Sequence, residues 1–474
     1  MYLKNLIQGI IILTVSAAIL SCENEEYVSD SSATLEFSAD TVTFDTVFTK
    51  IGSTTKRFTV KNPYNKNIVI SSIELAGDKE SDFRLNINGI KDTKVNDTEI
   101  KAKDSLFVFV EVTVDPTDSD NPMVIKDSVV FNTKQNRQDV KLIAWGQDVN
   151  LVDGEVLETQ TWSDKKPYLI YNSALVDTGH TLTIEEGTRL HFHDNSGLFV
   201  AGTLIADGTY ENPIIFEGDR LESYYENIPG QWTGIYMMPG SKNNYLNHTV
   251  IKNAIYGIWV DTLASTTTPT LRLSNTKIEH MTSIGLNARG SWVKASNCLI
   301  SDCGNHAVAL TLGGHYEFYH STIANYWTTS TRSTPSVLLN NYYIDGNDQV
   351  QNRDLEKASF VNSIIYGNQG NEIGFDFKEG AESNFTFDHS LVRINPDFNT
   401  GTDNFNAVIV NKDPEFVAPY DFKYQLDSLS PAIDAGNPET GQEYPYDILN
   451  NSRIEDEAPD IGAFEHVPDS TNEE

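Results

Sequence analysis

The stretch Thr181–Arg220, TLTIEEGTRLHFHDNSGLFVAGTLIADGTYENPIIFEGDR, constrains the fold more than any other part of the chain. Three apolar runs, Leu182–Ile184, Leu198–Val200 and Ile214–Phe216, are separated by turns at Gly187, Gly197, Gly202, Gly208 and Gly218. Leu190 and Phe192 alternate with His191 and His193, the period of two expected of a strand with one buried face. A glycine or proline interrupts every window of about a dozen residues, so no amphipathic helix fits. Short strands at near-regular spacing leave a sandwich or a solenoid.

A phrase repeated downstream decides for the solenoid. A polar residue is followed by Val, Ile or Leu in Asn247-His248-Thr249-Val250, Asn275-Thr276-Lys277-Ile278, Asn297-Cys298-Leu299-Ile300, His320-Ser321-Thr322-Ile323, Asn362-Ser363-Ile364-Ile365 and Asp388-His389-Ser390-Leu391. The apolar fourth positions, 250, 278, 300, 323, 365 and 391, step by 28, 22, 23, 42 and 26 residues. Units of about two dozen residues match one coil of a parallel β-helix. The long step holds Tyr326–Glu356, read as a projecting loop. Stacking then places Val250, Ile278, Ile300, Ile323, Ile365 and Leu391 in one apolar column, and Asn247, Asn275, Asn297 and Asn362 in a turn ladder of carboxamides.

Together with GQWTGIYMMPGS, YGIWV and SIGLNA, these stretches resemble bacterial right-handed parallel β-helix proteins of the pectate-lyase-like class. Ser430–Pro438 (SPAIDAGNP), Asp447, Arg453 and Pro459–Glu465 (PDIGAFE) resemble the ending of choice-of-anchor Q domain proteins. The resemblances span about residues 160–466. They imply an all-β fold, but the scaffold hosts enzymes and non-enzymes alike, so activity has to be argued from a site.

Upstream, Arg57–Val60, Ile68–Ile70, Leu106–Val110 and Ser128–Phe131 alternate in the strand period, with turns at Asn62-Pro63 and Asp115-Pro116. This region resembles the immunoglobulin-like sandwiches of bacterial surface proteins and reads as a spacer. The N-terminus pairs Lys4 with the apolar run Leu6–Leu20, too short for a transmembrane helix and typical of an export signal. Ile19-Leu20-Ser21-Cys22 resembles a bacterial lipobox, which implies lipidation of Cys22, and Glu23–Glu26 resembles an acidic export signal. The expected organisation is a lipoprotein signal peptide over 1–21, an acidic tether over 22–40, a sandwich over 41–149, a β-helix over 150–412 entered through a linker at Asp148–Glu158, a segment over 413–466 completing the helix, and a disordered tail over 467–474. An outer-membrane lipoprotein facing the cell exterior follows, held to the membrane by its lipid alone. A net charge of −33 excludes the basic patches that nucleic acids or anionic membranes require.

The candidate chemistry lies on one strand face. If Ile258, Leu286 and Val308 all point inward, then Trp259, Asn287 and Ala309 form one outward row and Asp261, Arg289 and Thr311 the next. A tryptophan beside Asn287, Asp261 and Arg289, with Trp292 just beyond, is a surface that stacks on a sugar ring and bonds its hydroxyls or carboxylate. A polysaccharide or host surface polymer is the expected partner. The competing reading is a polysaccharide lyase on a uronate glycan, with Arg289, Lys294 or Arg272 as base, Asp261 as the one nearby carboxylate, and calcium neutralising the substrate. A structural stalk is the third. No adjacent Asp pair suits a glycosidase, and Asp302 reads as a turn residue. His191 and His193, lacking a third ligand nearby, read as exposed strand residues, so no metal or cofactor is expected. Cys298 and Cys303 match no zinc spacing and read as small core residues.

Overall fold

The computed structural model describes residues 26–468, except Ser31, 117–122, Gln135, Thr262, 264–266 and 456–457. The expected signal peptide over 1–21, Cys22 and residues 469–474 lie outside the described residues. The chain divides into two compact units at Asp148/Val149.

In the first unit two five-stranded sheets share one apolar core. One sheet contributes Val60, Phe83, Val108 and Val110, the other Ile70, Ile73, Val129, Phe131 and Leu142. Part of the stretch expected to be a tether is built into it: Ala33 and Leu35 are buried, and Glu36–Phe37 pairs antiparallel with Val60 and Lys61. The alternation Ala33, Leu35, Phe37 is a short strand signal concealed by the Ser/Asp/Glu-rich composition around it.

The second unit is a parallel solenoid made of an 18-stranded sheet and a ten-stranded sheet. The stretch read as a linker is its first rung, since Asn150–Leu157 pairs in parallel with Tyr168–Val176. Each middle coil contributes three strands, as in Leu271–Ser274, Lys277–Met281 and Leu286–Arg289. The 42-residue step is one coil carrying two insertions; it includes the sheet strand Val337–Asn340 and a projecting hairpin, Tyr342–Ile344 with Val350–Asn352.

The apolar column runs Ile251, Ile278, Ile300, Ile323, Ile365, Val392, all fully buried. Val250 and Leu391 are each one position off it: Val250 pairs with Lys277, and Leu391 with Ile364. The cause is the turn residue. His248, Asn275, Asn297, His320, Asn362 and His389 all take positive φ, between 41° and 50°. Histidine here serves as asparagine does, so the repeat begins at His248 and His389 rather than at Asn247 and Asp388. A one-residue slip exchanges the two faces of a strand, which is why Val250 lies outside the core. The carboxamide ladder is present over three of its four expected members: Asn275 donates to Asn247 at 3.0 Å and Asn297 to Asn275 at 3.1 Å, whereas Asn362 bonds His320 at 3.0 Å.

The position after each turn carries a hydroxyl or thiol that donates to the carbonyl two residues back. Thr249, Thr276, Cys298, Ser321, Ser363 and Ser390 do so at distances of 2.8–3.3 Å. Cys298 therefore stands in for Ser or Thr, and both Cys298 and Cys303 are buried free thiols. Burial pushes the Cys298 thiol up to about 12. We expect no labelling of either cysteine by thiol reagents in the native protein, and a change in stability within about 1 kcal/mol for Cys298→Thr in a thermal melt. Ready labelling would refute the buried ladder.

Residues 413–466 do not continue the stack. The last parallel strand is Ile409–Val410; beyond it a hairpin, Phe416–Ala418 with Lys423–Leu426, and a short helix, Pro438–Glu443, fold back along the coils. Phe416, Tyr424, Leu426, Ile448, Ile461 and Phe464 form a second core against Leu299, Ala324, Ile364 and Leu391. The SPAIDAG and DIGAFE residues fasten this clamp to itself and to the turn ladder. Arg453 bonds Glu465 at 2.6 Å and Asn297 at 3.3 Å, and the Glu465 amide donates to Asp447 at 2.9 Å. Asn437 and Asn362 bond each other reciprocally at 2.6 and 3.1 Å.

Candidate functional site: an aromatic row on the outer face of the solenoid

Leu198, Ile235, Ile258, Leu286 and Val308 lie opposite one another on successive strands and point into the core. Alternation then sends Phe199, Tyr236, Trp259, Asn287 and Ala309 outward in one row. The strands enter this face through a tight corner. A Cβ on Gly234, whose φ is +123°, would lie 2.0 Å from the Tyr256 carbonyl, and one on Gly257 2.4 Å from the Gly285 carbonyl. Only glycine lets the coils approach that closely.

Phe199 and Tyr236 meet edge-to-face with centroids 6.0 Å apart; Tyr236 and Trp259 do the same at 6.0 Å, and Tyr256 abuts Trp259 at 5.0 Å. Between them lies a cavity of about 270 Å³, lined by Phe199, Thr233, Gly234, Ile235, Tyr236, Tyr256 and Trp259. At its polar end one oxygen of Asp261 accepts from the Tyr236 hydroxyl at 3.0 Å and from Arg289 at 3.1 Å. The Arg289 guanidinium sits 6.0 Å from the Trp259 ring centroid, a cation–π distance. Burial, reinforced by its hydrogen bond to Asp261, pushes the Tyr236 hydroxyl above its ordinary value.

Trp259, Asp261, Asn287 and Arg289 are thus brought together, whereas Trp292 and Lys294 are not. Gly290 and Ser291 turn the chain onto the ten-stranded sheet, where Trp292 lies opposite His315 at 4.8 Å. Lys294 lies beside the stacked rings of Tyr319 and Tyr444, at 5.2 and 5.9 Å, and 3.6 Å from Glu443; Arg272 is its neighbour on the adjoining strand. Of the residues singled out for lyase chemistry, Asp261 and Arg289 therefore lie together, whereas Lys294 and Arg272 lie on the other sheet. Phe199, Tyr236 and Tyr256 are site residues that the reading of the sequence passes over, although the phrases Gly197-Leu198-Phe199, Gly234-Ile235-Tyr236 and Gly257-Ile258-Trp259 carry their register.

His191 and His193 have separate partners. His191 is buried, not exposed; it lies 3.4 Å from Glu217, and burial lowers its ring to about 4. His193 stacks on Tyr171 and bonds Asp219 at 2.7 Å. Among the described residues no group of three or more His, Cys, Asp or Glu is placed to hold a metal ion. Asp302 is not an open turn residue: burial raises its carboxyl to about 7, and the clamp's Tyr424 donates to it at 2.7 Å. A raised carboxyl is the property of a general acid, but here the clamp covers it. A second cleft, of about 840 Å³, is lined by Asp164, Glu185, Glu186, Asp207 and Glu211 with Thr209, Tyr210 and Asn450.

A family model describing right-handed beta helix regions matches residues 168–323. Protein bark beetle of Drosophila melanogaster is 26% identical over 221 residues, covering 38% of this chain and 7% of that protein, so the chain spans a small fraction of that relative's length. A solved family 123 glycoside hydrolase from Clostridium perfringens, described in terms of glycolipid glycan hydrolysis, aligns with 27% of this chain and 30% of its own at 3% identity. Its TM-score of 0.19 is too low to indicate a common fold. The stacked parallel strands and the matching region together make the unit that begins at Val149 a right-handed parallel β-helix.

Proposed function

We propose that this chain is a surface-displayed recognition protein that binds an extended glycan or similar polymer along the β-helix without transforming it. The observation that carries the reading is the in-register row Phe199, Tyr236 and Trp259, with Tyr256 beside it and the Asp261–Arg289 pair at its end. Half-buried aromatics on consecutive coils, set edge-to-face with centroids 6.0 Å apart, offer apolar carbon surface, and the polar pair supplies oriented hydrogen-bonding groups. The lyase alternative keeps one candidate base, Arg289, beside Asp261, but the two are tied to each other at 3.1 Å, while Lys294 and Arg272 lie on the other sheet. In this reading the N-terminal unit is an immunoglobulin-like spacer and Cys22 a lipid anchor at the outer surface of a bacterial outer membrane.

Affinity electrophoresis through gels containing soluble polysaccharides tests the proposal. At least one glycan should retard the protein, and Trp259→Ala should abolish the retardation while leaving the thermal melt within about 1 kcal/mol of wild type. Unchanged retardation of that variant, or release of unsaturated sugar ends by the protein, would overturn it.

A further inference from the structure

Resting on that reading, we infer that the row takes a neutral, unbranched polysaccharide rather than a uronate or sulfated one. A polyanion needs unpaired cations where it lies. The row itself, Phe199, Tyr236, Trp259, Asn287, Ala309 and Leu338, contains none. On its polar flank the one guanidinium, Arg289, is neutralised by Asp261 at 3.1 Å, and further along the flank Asn340 stands opposite Asp376. The flank thus holds two carboxylates against one guanidinium. The acidic cleft on another part of the same solenoid, and the overall charge of −33, add repulsion of the same sign.

What the face does offer is suited to hydroxyls and C–H surfaces. The Trp259 indole Nε1 is buried and has no hydrogen-bond partner among the described residues. That N–H is closed off from the surface, so a ligand meets the indole through its carbon ring and needs no charge to do so. Asn287, next in the row, is buried, so the polar group the face presents is the carboxylate of Asp261, which accepts from hydroxyls. Coil after coil the row advances roughly 4.8 Å, close to the advance per ring of an extended, equatorially linked sugar chain, so an unbranched ribbon lying along the axis meets one side chain per ring. Tyr256 at one end of the Trp259 strand and the Asp261–Arg289 pair at the other border the row, which favours an unbranched chain. The cavity of about 270 Å³ has room for one ring at a time to settle against Tyr236 and Trp259.

The test uses the intact chain and calorimetric titration with linear neutral oligosaccharides (β-glucan, xylan and mannan fragments) beside oligogalacturonate and a sulfated oligosaccharide, each at low and high salt. Binding of a neutral chain is expected, with affinity changing less than about twofold with salt, because no counterions are displaced. Trp259→Phe, which keeps a ring but shrinks the stacking surface, is expected to weaken it severalfold, and Tyr236→Ala about tenfold. Binding of the acidic chains alone, weakening with salt, would overturn this inference and leave the aromatic-row reading standing. Binding of none would overturn both. Binding of a neutral chain unaltered in Trp259→Phe and Tyr236→Ala would place the ligand elsewhere and also overturn both.

Discussion

Glu372→Ala is expected to lower the stability of the β-helix by about 3–5 kcal/mol, more than any substitution in the aromatic row. Glu372 and Arg332 form an ion pair of 2.7 Å in which both side chains are fully buried. Every oxygen of the carboxylate is used: one receives Arg332 and the Gln369 amide, the other Arg332 and both the amide and hydroxyl of Ser336. Arg332 in turn bonds the carbonyls of Asn325 and Thr334 and the Asn368 side chain. The pair closes the inserted loop between Asn325 and Val337, and removing the acid leaves a guanidinium buried without its counter-charge. Because stacked coils are coupled mainly to their neighbours, the damage should be local, exposing residues 326–336 to protease before the rest of the unit opens. The double variant Arg332→Met, Glu372→Leu should regain only the part due to the uncompensated charge, since the Ser336 and Gln369 amides and the Asn325 carbonyl lose a partner in it as well. Equal destabilisation by the single and double variants, measured by denaturant titration, would show that loop geometry rather than the uncompensated charge is responsible.

The second large effect is a dependence on pH centred on Asp302. Burial raises its carboxyl from the ordinary value near 3.8 to about 7, with the nearby Glu279 adding to the rise and the hydrogen bond from Tyr424 opposing it. Glu279 is itself raised by burial, and His280, lowered to about 4 by burial, is neutral at physiological pH. The folded state therefore holds a proton on Asp302 that the unfolded chain has released. The stability associated with it is complete below about pH 4 and is lost progressively as pH rises to about 7. The full difference is on the order of 4 kcal/mol. Asp302→Asn, which keeps the acceptor for Tyr424 and cannot ionise, should melt higher than wild type at pH 8 and much closer to it at pH 4. A difference between the two proteins that does not change across that range would remove Asp302 as the cause.

Much of the architecture can be read before any coordinates. Ile258, Leu286 and Val308 share an inner line because a two-residue side-chain period keeps the matching positions of each strand on one face although the steps between them are 28 and 22 residues, and the same logic places Asp261 beside Arg289. The failures are equally physical. Asn247 and Asp388 look like the first residues of their repeats because asparagine and aspartate favour positive φ, yet the histidines that follow them adopt it. Trp292 follows Arg289 closely in the chain but is separated from it by a corner at Gly290, whose φ is +58°, and proximity in sequence says nothing about which sheet a strand joins. Phe199 and Tyr236 are dozens of residues from Trp259, so only strand register brings the three rings together. The clamp is invisible to periodicity because residues 413–466 contribute no rung; their apolar residues fit the outside of coils already formed.

That clamp has a mechanical consequence. A solenoid held only through its end would peel one rung at a time when pulled, each contact failing alone at low force. Here tension applied near His466 passes through Arg453 and Asn437 into Asn297 and Asn362, midway along the tower. The load is shared by several turns in shear, so resistance should arrive as one high rupture and vanish when Arg453 is replaced.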